Sequence, residues 1–277
     1  MNLLNRAREL ADKSPFRTYL LKPSVRSKIA SIGALRFLAA IFVTADPLKY
    51  LWAWVKSGEN LLTVHLKSGG TLKLNPRRDL ETLYEVFLQR CYEPPKKIVF
   101  AQPQIVLDVG ANIGAFSAFA RQLWPNTKII SFGPDPENAE LYRSTSAGND
   151  ASTNFFEAAA ATKDGLLSFR SSLGSGSHVT ETHGDESIAV DCLDIFPYLD
   201  IADFAKIDIE GAEWPILTDP RLSGLSAITI VLEFHRVGAP SLPAGEAAAA
   251  LLEEAGFTTV FGNRNYWGQG IIWASKI

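Results

Sequence analysis

The sequence has few of the residues that mark several classes of protein. Its only two cysteines, Cys91 and Cys192, are too few and too far apart for a disulfide framework or a CxxC zinc site. Free thiols are typical of the cytosol, so we expect a cytoplasmic protein. A net charge of −3 over 277 residues argues against a dedicated nucleic-acid binder, so we expect no nucleic-acid partner.

A long hydrophobic run is also missing. The most apolar stretch, residues 29–45, is shorter than the roughly 20 residues that cross a bilayer, and it contains Arg36. This stretch predicts a buried or docking helix. Residues 1–40 carry eight Lys or Arg against two Asp or Glu, however, which favours the alternative of a peripheral membrane contact through the basic N-terminus.

The residues that are present divide the chain into two parts. Apolar residues make up 47% of it, enough for a sizeable core. Residues 1–100 predict an appendage of helices and a β-hairpin, whose turn contains Gly69 and Gly70. From residue 101 onward, apolar strands alternate with helices, a pattern typical of a parallel α/β sheet. We therefore predict an appendage over 1–100 and an α/β domain over 101–277.

The stretch "LDVGANIGAFS" is the most informative motif, because it follows a strand and opens a helix. Gly110 allows a sharp turn and Gly114 a close approach, while Asp108 is expected to face the crevice at the carboxyl edge of the sheet. The spacing differs from the G-x-G-x-x-G of dinucleotide binders, and a diphosphate would be repelled by Asp108. A cationic or polyol ligand is favoured, with a purely structural turn as the alternative.

Acidic residues follow two later strands. In "KIDIEGAEW", Asp208 and Glu210 are expected on one face of the chain, where they can act as a general base or only cap and pair charges. In "LEFH", Glu233 and His235 end the next apolar strand, and His235 is a second candidate base. A hard-metal site among these four residues is a further alternative. Glu213 is expected to be solvated.

Six motifs in order resemble those of the FkbM-type S-adenosylmethionine-dependent methyltransferases. They are "VLDVGANIGAFSAFA", "SFGPDPENAELY", "KDG", "VDCLD", "AKIDIEGAEWPIL" and "LEFH". With the upstream "SGGTLKLN" and "DLETLYEVFLQRCY", the resemblance covers residues 61–277.

The resemblance implies a Rossmann-like class I methyltransferase fold, with a seven-stranded, mostly parallel sheet whose last strand is antiparallel. It implies S-adenosyl-L-methionine as cofactor, O-methylation of a hydroxyl on a small metabolite or glycan, and no required metal. Asp208, Glu210 and His235 are the catalytic candidates. The cofactor candidates are Asp108, Gly110, Asn112 and Gly114 at the methionine end, Gly133 and Asp135 at the ribose, and Ala158 and Ala159 at the adenine.

The chain departs from the family pattern at Gly133. The family has an acidic residue before a proline here, whereas this chain has Gly133-Pro134-Asp135-Pro136. Losing a carboxylate from a ribose diol costs roughly 1–3 kcal/mol. Three outcomes are open: Asp135 replaces the carboxylate, the cofactor binds more weakly, or catalysis is lost and a non-catalytic binding module remains.

Overall fold

A computed structural model describes residues 41–56, 61–98, 101–170, 178–180, 187–264 and 269–276. Most of the apolar stretch 29–45, and with it the predicted docking helix, lies outside these residues. Within them, no helix combines the length and the hydropathy that a membrane crossing requires.

The described part of the N-terminal region contains the predicted hairpin. Helix α1 (Pro47–Lys56) is followed by β1 (Leu62–His65) and β2 (Thr71–Leu74), which pair antiparallel. Helix α2 (Leu80–Leu83) then continues into a π-helical segment, Tyr84–Gln89. The apolar spacing of "DLETLYEVFLQRCY" predicts a helix, which the structure confirms, although the second half is wider than an α-helix.

The described residues from 101 onward form eleven strands and five α-helices. The strands are β3 (Ile105–Val109), β4 (Lys128–Phe132), β5 (Thr153–Phe156), β6 (Ala159–Ala161), β7 (Gly165–Arg170), β8 (His178–Thr180), β9 (Ile188–Asp194), β10 (Phe204–Ile207), β11 (Ile228–Phe234), β12 (Thr258–Arg264) and β13 (Gly270–Lys276). The helices are α3 (Ala115–Leu123), α4 (Pro136–Arg143), α5 (Phe196–Leu199), α6 (Glu213–Leu217) and α7 (Ala244–Glu254).

Seven of these strands form the main sheet, in the order β12-β13-β11-β10-β3-β4-β5. Strand β13 runs antiparallel to both its neighbours, while β11, β10, β3, β4 and β5 pair in parallel. The predicted Rossmann-like class I methyltransferase sheet is confirmed. Parallel strands that are covered on both faces are mainly apolar, as "IVLDV" and "ITIVLEF" are.

The two faces of the sheet pack into two hydrophobic clusters. One contains Leu107 and Ile130 with helix α7, and the other contains Val106 and Ile129 with helix α3. Alternate residues of one strand thus point to opposite faces.

The described part of the N-terminal region joins the second of these clusters. Tyr50, Leu72 and Leu83 are buried there together with Val106 and Phe119. The hairpin and α2 therefore cover one face of the main sheet. The division at residue 100 stays a prediction.

One predicted strand is wrong. The run "TNFFEAAAA" follows a helical stretch and predicts a single strand, the third of the α/β domain, but it divides into β5 in the main sheet and β6 in a second sheet. The pairing of β4 with β5 ends at Phe132 opposite Phe156, so the chain beyond Phe156 has no partner there. Strand β6 pairs instead with β9, in a sheet of order β6-β9-β7-β8.

Candidate active site

The turn after β3 lies at the carboxyl edge of the main sheet and requires glycine at position 110. Gly110 has φ of 85°, and a Cβ added to it would lie 1.8 Å from the Asp208 carbonyl oxygen. The amides of Gly110 and Ala111 both donate to the Phe132 carbonyl, at 3.0 and 2.8 Å. The turn is therefore held between the ends of β4 and β10, where open parallel sheets bind ligands.

The rest of the turn also adopts left-handed backbone. Asn112 has φ of 49° and Gly114 has φ of 84°. A Cβ at Gly114 would lie 2.9 Å from the Tyr142 ring, so the start of α3 lies close to α4. The motif predicted a close approach by a ligand or by the strand, whereas the neighbour in the structure is Tyr142 of α4.

Asp108 is completely buried beneath the turn. Its Oδ2 accepts a hydrogen bond of 2.7 Å from the Ser117 hydroxyl, and its Oδ1 lies 3.6 Å from Lys206 Nζ. Burial raises the pKa of Asp108, although Lys206 and Ser117 oppose this effect. These two partners hold Asp108 below the surface of the crevice, and its role toward the cofactor stays a prediction.

Lys206 connects Asp108 to the turn, a role that the sequence analysis did not assign. Its Nζ donates to the Gly110 carbonyl at 2.7 Å and lies 3.4 Å from Asp208 Oδ2. Burial lowers the pKa of Lys206, but Asp208 and Asp108 more than compensate and raise it above its ordinary value. A buried ammonium therefore holds the backbone of the turn.

Tyr92 reaches the site from the N-terminal region and was also missed. Its hydroxyl donates to Glu233 Oε2 at 2.7 Å and lies 3.1 Å from Asp208 Oδ2. Burial, followed by these two carboxylates, raises the pKa of Tyr92, so the hydroxyl stays protonated. Its place in the lead-in "DLETLYEVFLQRCY" was the one available signal.

His235 is buried between two carboxylates. Its Nδ1 lies 2.9 Å from Glu213 Oε1, and its Nε2 lies 3.3 Å from Glu210 Oε2. Burial lowers the pKa of His235, but the hydrogen bond to Glu213 and the charges of Asp208, Glu213 and Glu210 raise it to about 9. The imidazole is therefore a cation at neutral pH, and both its nitrogens are engaged.

Glu213 is fully buried, so the expectation of a solvated side chain is wrong. Its Oε1 also accepts from the backbone amides of Ile209 and Gly211, at 3.0 and 3.2 Å. Glu213 thus fixes both His235 and the loop that carries Glu210.

Glu210 lies on this loop with φ of 54°, and its side chain is 29% exposed. Burial and the neighbouring Asp208 raise its pKa to about 8, against the opposing charge of His235. Burial and Asp208 likewise raise the pKa of Glu233 to about 7. Two carboxyls of the crevice are therefore poised to exchange protons near neutral pH.

The alternative of a metal site concerns Asp208, Glu233 and His235, whose possible ligand atoms lie within 4.8 Å of one another. These atoms already have partners among the described residues. Lys206 lies beside the Asp208 carboxylate, and Tyr92 donates to Glu233. We therefore assign these carboxylates to the ammonium and the hydroxyl.

Gly133 lies beside the glycine-rich turn, with room for a side chain. A Cβ there would lie 3.5 Å from the Phe155 ring and 3.9 Å from the Asn112 amide, both ordinary contacts. The Oδ1 of Asp135 caps α4 by accepting from the amides of Glu137 and Asn138, at 3.0 and 3.2 Å. One carboxylate oxygen of Asp135 is thus engaged, and its role toward a ribose stays a prediction.

A cavity of about 380 Å³ lies between the end of β5 and the second sheet. It is lined by Phe156, Glu157, Ala158, Asp164, Gly165, Asp191, Cys192 and Leu193. Ala158 lines this cavity, and both Ala158 and the adjacent Ala159 are buried. Neither Asp108 nor Asp135 lines this cavity, and the roles of Ala158 and Ala159 stay predictions.

Comparison with known proteins identifies the family of this chain. Residues 108–259, more than half of the chain, match the family model described as "Methyltransferase FkbM domain". Methyltransferase 1 of Beauveria bassiana is 25% identical over 83 residues, which are 29% of this chain and 32% of that protein. Methyltransferase sdnD of Sordaria araneosa is 33% identical over 67 residues, which are 24% of this chain and 25% of that protein.

Among solved structures, the methyltransferase FkbM from Methylobacillus flagellatus KT is similar at a TM-score of 0.46 and 13% identity. That match covers 83% of this chain and 59% of the other. The chain spans about a third of the length of Methyltransferase 1 and about a quarter of the length of Methyltransferase sdnD.

Proposed function

The chain belongs to the FkbM methyltransferase family, and we propose that it transfers a methyl group from S-adenosylmethionine to a hydroxyl of a small metabolite or glycan. S-adenosylmethionine is the cofactor that this family implies. When bound, it supplies the methyl group on a positively charged sulfur. The oxygen acceptor and the roles of individual residues rest on the chemistry of the site.

The residues present fit this cofactor. The Oδ1 of Asp108 is buried, and among the described groups it has no hydrogen-bond partner. Five carboxyls surround two cations, Lys206 and His235, so the crevice favours a ligand that carries positive charge. The five are Asp108, Asp208, Glu210, Glu213 and Glu233. The methionine end of the cofactor would be held by Gly110, Asn112 and Gly114. Asp108 would support this turn from below through Lys206.

Glu210 accepts the proton of the acceptor hydroxyl as the oxygen gains the methyl group. The O–H bond breaks as its proton moves to Glu210, and the proton passes from the carboxyl to water afterwards. The bound cofactor would supply the methyl group by loss of its methyl–sulfur bond, which would leave a neutral thioether. A pKa of about 8 gives Glu210 the basicity that this task needs, and its partial exposure leaves it accessible. Methyl transfer otherwise depends mainly on the alignment of the reacting atoms.

The remaining catalytic candidates position Glu210 and the acceptor. His235 holds Glu210 through Nε2, so we assign it a positioning role and not that of a free base. Asp208 is 23% exposed and can accept a hydrogen bond from a second hydroxyl of the acceptor. A carboxylate-rich wall repels anions, which favours a neutral polyol acceptor over a phosphorylated one.

The observation that carries the proposal is the perturbed, partly exposed Glu210 beside the glycine-rich turn. The test is transfer of labelled methyl from S-adenosylmethionine to a panel of neutral polyols and glycans. We expect alkali-stable methyl ethers, a rate that rises with pH through about 8, and a loss of 10²–10⁴-fold in Glu210→Gln. The exposed Glu254→Gln serves as the matched control.

Labelled methyl found only on amines or carboxylates, or equal rates in both variants, would contradict this assignment.

Gly133 favours one second candidate, a binding module that holds the cofactor without transferring its methyl group. That candidate predicts measurable cofactor binding with no labelled product from any acceptor class.

A further inference from the structure

Helix α1 presents an apolar face to solvent. Leu48, Trp52 and Val55 are spaced by four and three residues, so they share one side of the helix. Their exposures are 80%, 63% and 63%. Single exposed apolar residues are ordinary, but three aligned large ones mark a site of interaction.

The opposite side of α1 fixes this face in place. Tyr50 is completely buried, and its hydroxyl donates to the Pro76 carbonyl at 2.7 Å. Arg77 Nε donates to the Trp54 carbonyl at 2.8 Å, and its Nη2 donates to the Val55 carbonyl at 3.3 Å. These contacts hold the last turn of α1, so the apolar face cannot turn inward without breaking them.

The part of the chain that carries the apolar face is rich in basic residues. The exposed Lys49 lies within α1, and Lys67 Nζ lies 5.8 Å from the ring centroid of Phe42, which is also partly exposed. Residues 1–78 contain fourteen Lys or Arg and four Asp or Glu, whereas the other 199 residues contain thirteen and twenty-six. The basic charge of the chain is thus concentrated in the region that carries α1.

This charge decides among the possible occupants of the face. A second copy would bring the same basic region against itself, and residues 1–40 carry a charge of the same sign. A nucleic acid would match the charge but not three large apolar side chains. An anionic bilayer surface matches both, because its headgroups attract Lys and Arg while Trp, Leu and Val enter the interface.

We propose that helix α1 docks the protein on anionic lipid membranes, with Leu48, Trp52 and Val55 inserted among the headgroups and Lys49 and Lys67 at its rim. The ten-residue helix lies on the surface without crossing it. This places the methyltransferase domain beside the membrane, and it holds whether or not the proposed acceptor is correct.

The test is co-sedimentation of the full chain with phosphatidylcholine vesicles, with and without about one third phosphatidylglycerol. We expect binding to the anionic vesicles alone. About 0.5 M NaCl should weaken this binding, because the salt screens the attraction between the charges. The double variant Leu48→Glu/Trp52→Glu should bind at least about tenfold more weakly. The control is Leu166→Glu/Val237→Glu, which changes the charge equally at apolar residues that are 70% and 69% exposed.

Circular dichroism and thermal unfolding establish that both double variants are folded. Equal weakening in the two pairs, equal binding to neutral vesicles, or no binding by the wild type would overturn the proposal. Unchanged binding in the α1 pair would also overturn it, because residues 1–40 would then suffice. Light scattering that shows a dimer disrupted only by the α1 pair would assign the face to a second copy instead.

Discussion

At the scale of single residues, the buried imidazolium of His235 makes stability depend on pH. Its pKa rises from 6.5 in the unfolded chain to about 9 in the fold, chiefly through Glu213. Stability from this group is complete below pH 6.5 and is lost as pH rises through 9. The raised pKa of Glu210 likewise lowers stability as pH rises, between about pH 4.5 and pH 8.

We therefore expect the free energy of unfolding to fall by about 2–3 kcal/mol as pH rises from 6.5 to 9. Urea denaturation at several pH values measures it. His235→Gln should flatten this slope and destabilise the protein most at low pH, where Glu213 loses a charged partner. The exposed His65→Gln is the control, and an unchanged slope in His235→Gln would contradict the assigned ion pair.

Gly133 gives a second prediction at this scale. An added Cβ meets only ordinary contacts, so Gly133→Glu should fold normally and restore an acidic group where the family pattern has one. We expect S-adenosylmethionine to bind about 10- to 100-fold more tightly. Gly133→Gln has nearly the same shape without the charge and should gain much less. Unchanged or weaker binding in Gly133→Glu would show that β4 ends elsewhere relative to the ribose.

At the scale of secondary-structure elements, Asp135 is the N-cap of α4. We expect Asp135→Ala to lower the free energy of unfolding by about 1 kcal/mol, because two backbone amides lose their acceptor. Asp135→Ser should recover most of that loss, since serine caps helices comparably. Chemical denaturation of both variants measures these free energies of unfolding. If the Ser variant were as unstable as the Ala variant, the charge of Asp135 would stabilise the protein, and not its capping of α4.

The elements themselves were largely predictable from the sequence. Strand and helix periodicity predicted a parallel α/β sheet, and the glycines predicted the turn after β3, because these depend on local spacing. The resemblance to the family implied the seven strands and the antiparallel last strand. The split of "TNFFEAAAA" was not predictable, since it depends on where the partner strand β4 stops.

The site was less predictable than the fold. Asp208, Glu210 and His235 do converge, because parallel strands end at one edge of the sheet. Their partners are distant in sequence, however: Tyr92 is 141 residues from Glu233, and Glu213 is 22 residues from His235. Sequence periodicity does not reveal contacts between residues that are distant in sequence. The burial of Glu213 and the contacts of Tyr92 are therefore visible only in the folded chain.

At the scale of the whole molecule, the fold brings two parts of the chain to one candidate site. The main sheet supplies the glycine-rich turn and the carboxylates, and the N-terminal region supplies Tyr92. The same region carries α1 and the concentrated basic charge. The exposed apolar face of α1 and a crevice rich in carboxylates are thus separate features of one molecule.

The central claim is that S-adenosylmethionine binds above Asp108 and Lys206, and isothermal titration of the purified protein tests it most directly. We predict measurable binding by the wild type, binding about 10- to 100-fold weaker in Asp108→Asn, and no change in the exposed Asp200→Asn. Thermal unfolding of the variants, both isosteric, establishes that they are folded. The absence of any binding by the wild type at about 1 mM cofactor, or equal affinity in all three proteins, would contradict the account.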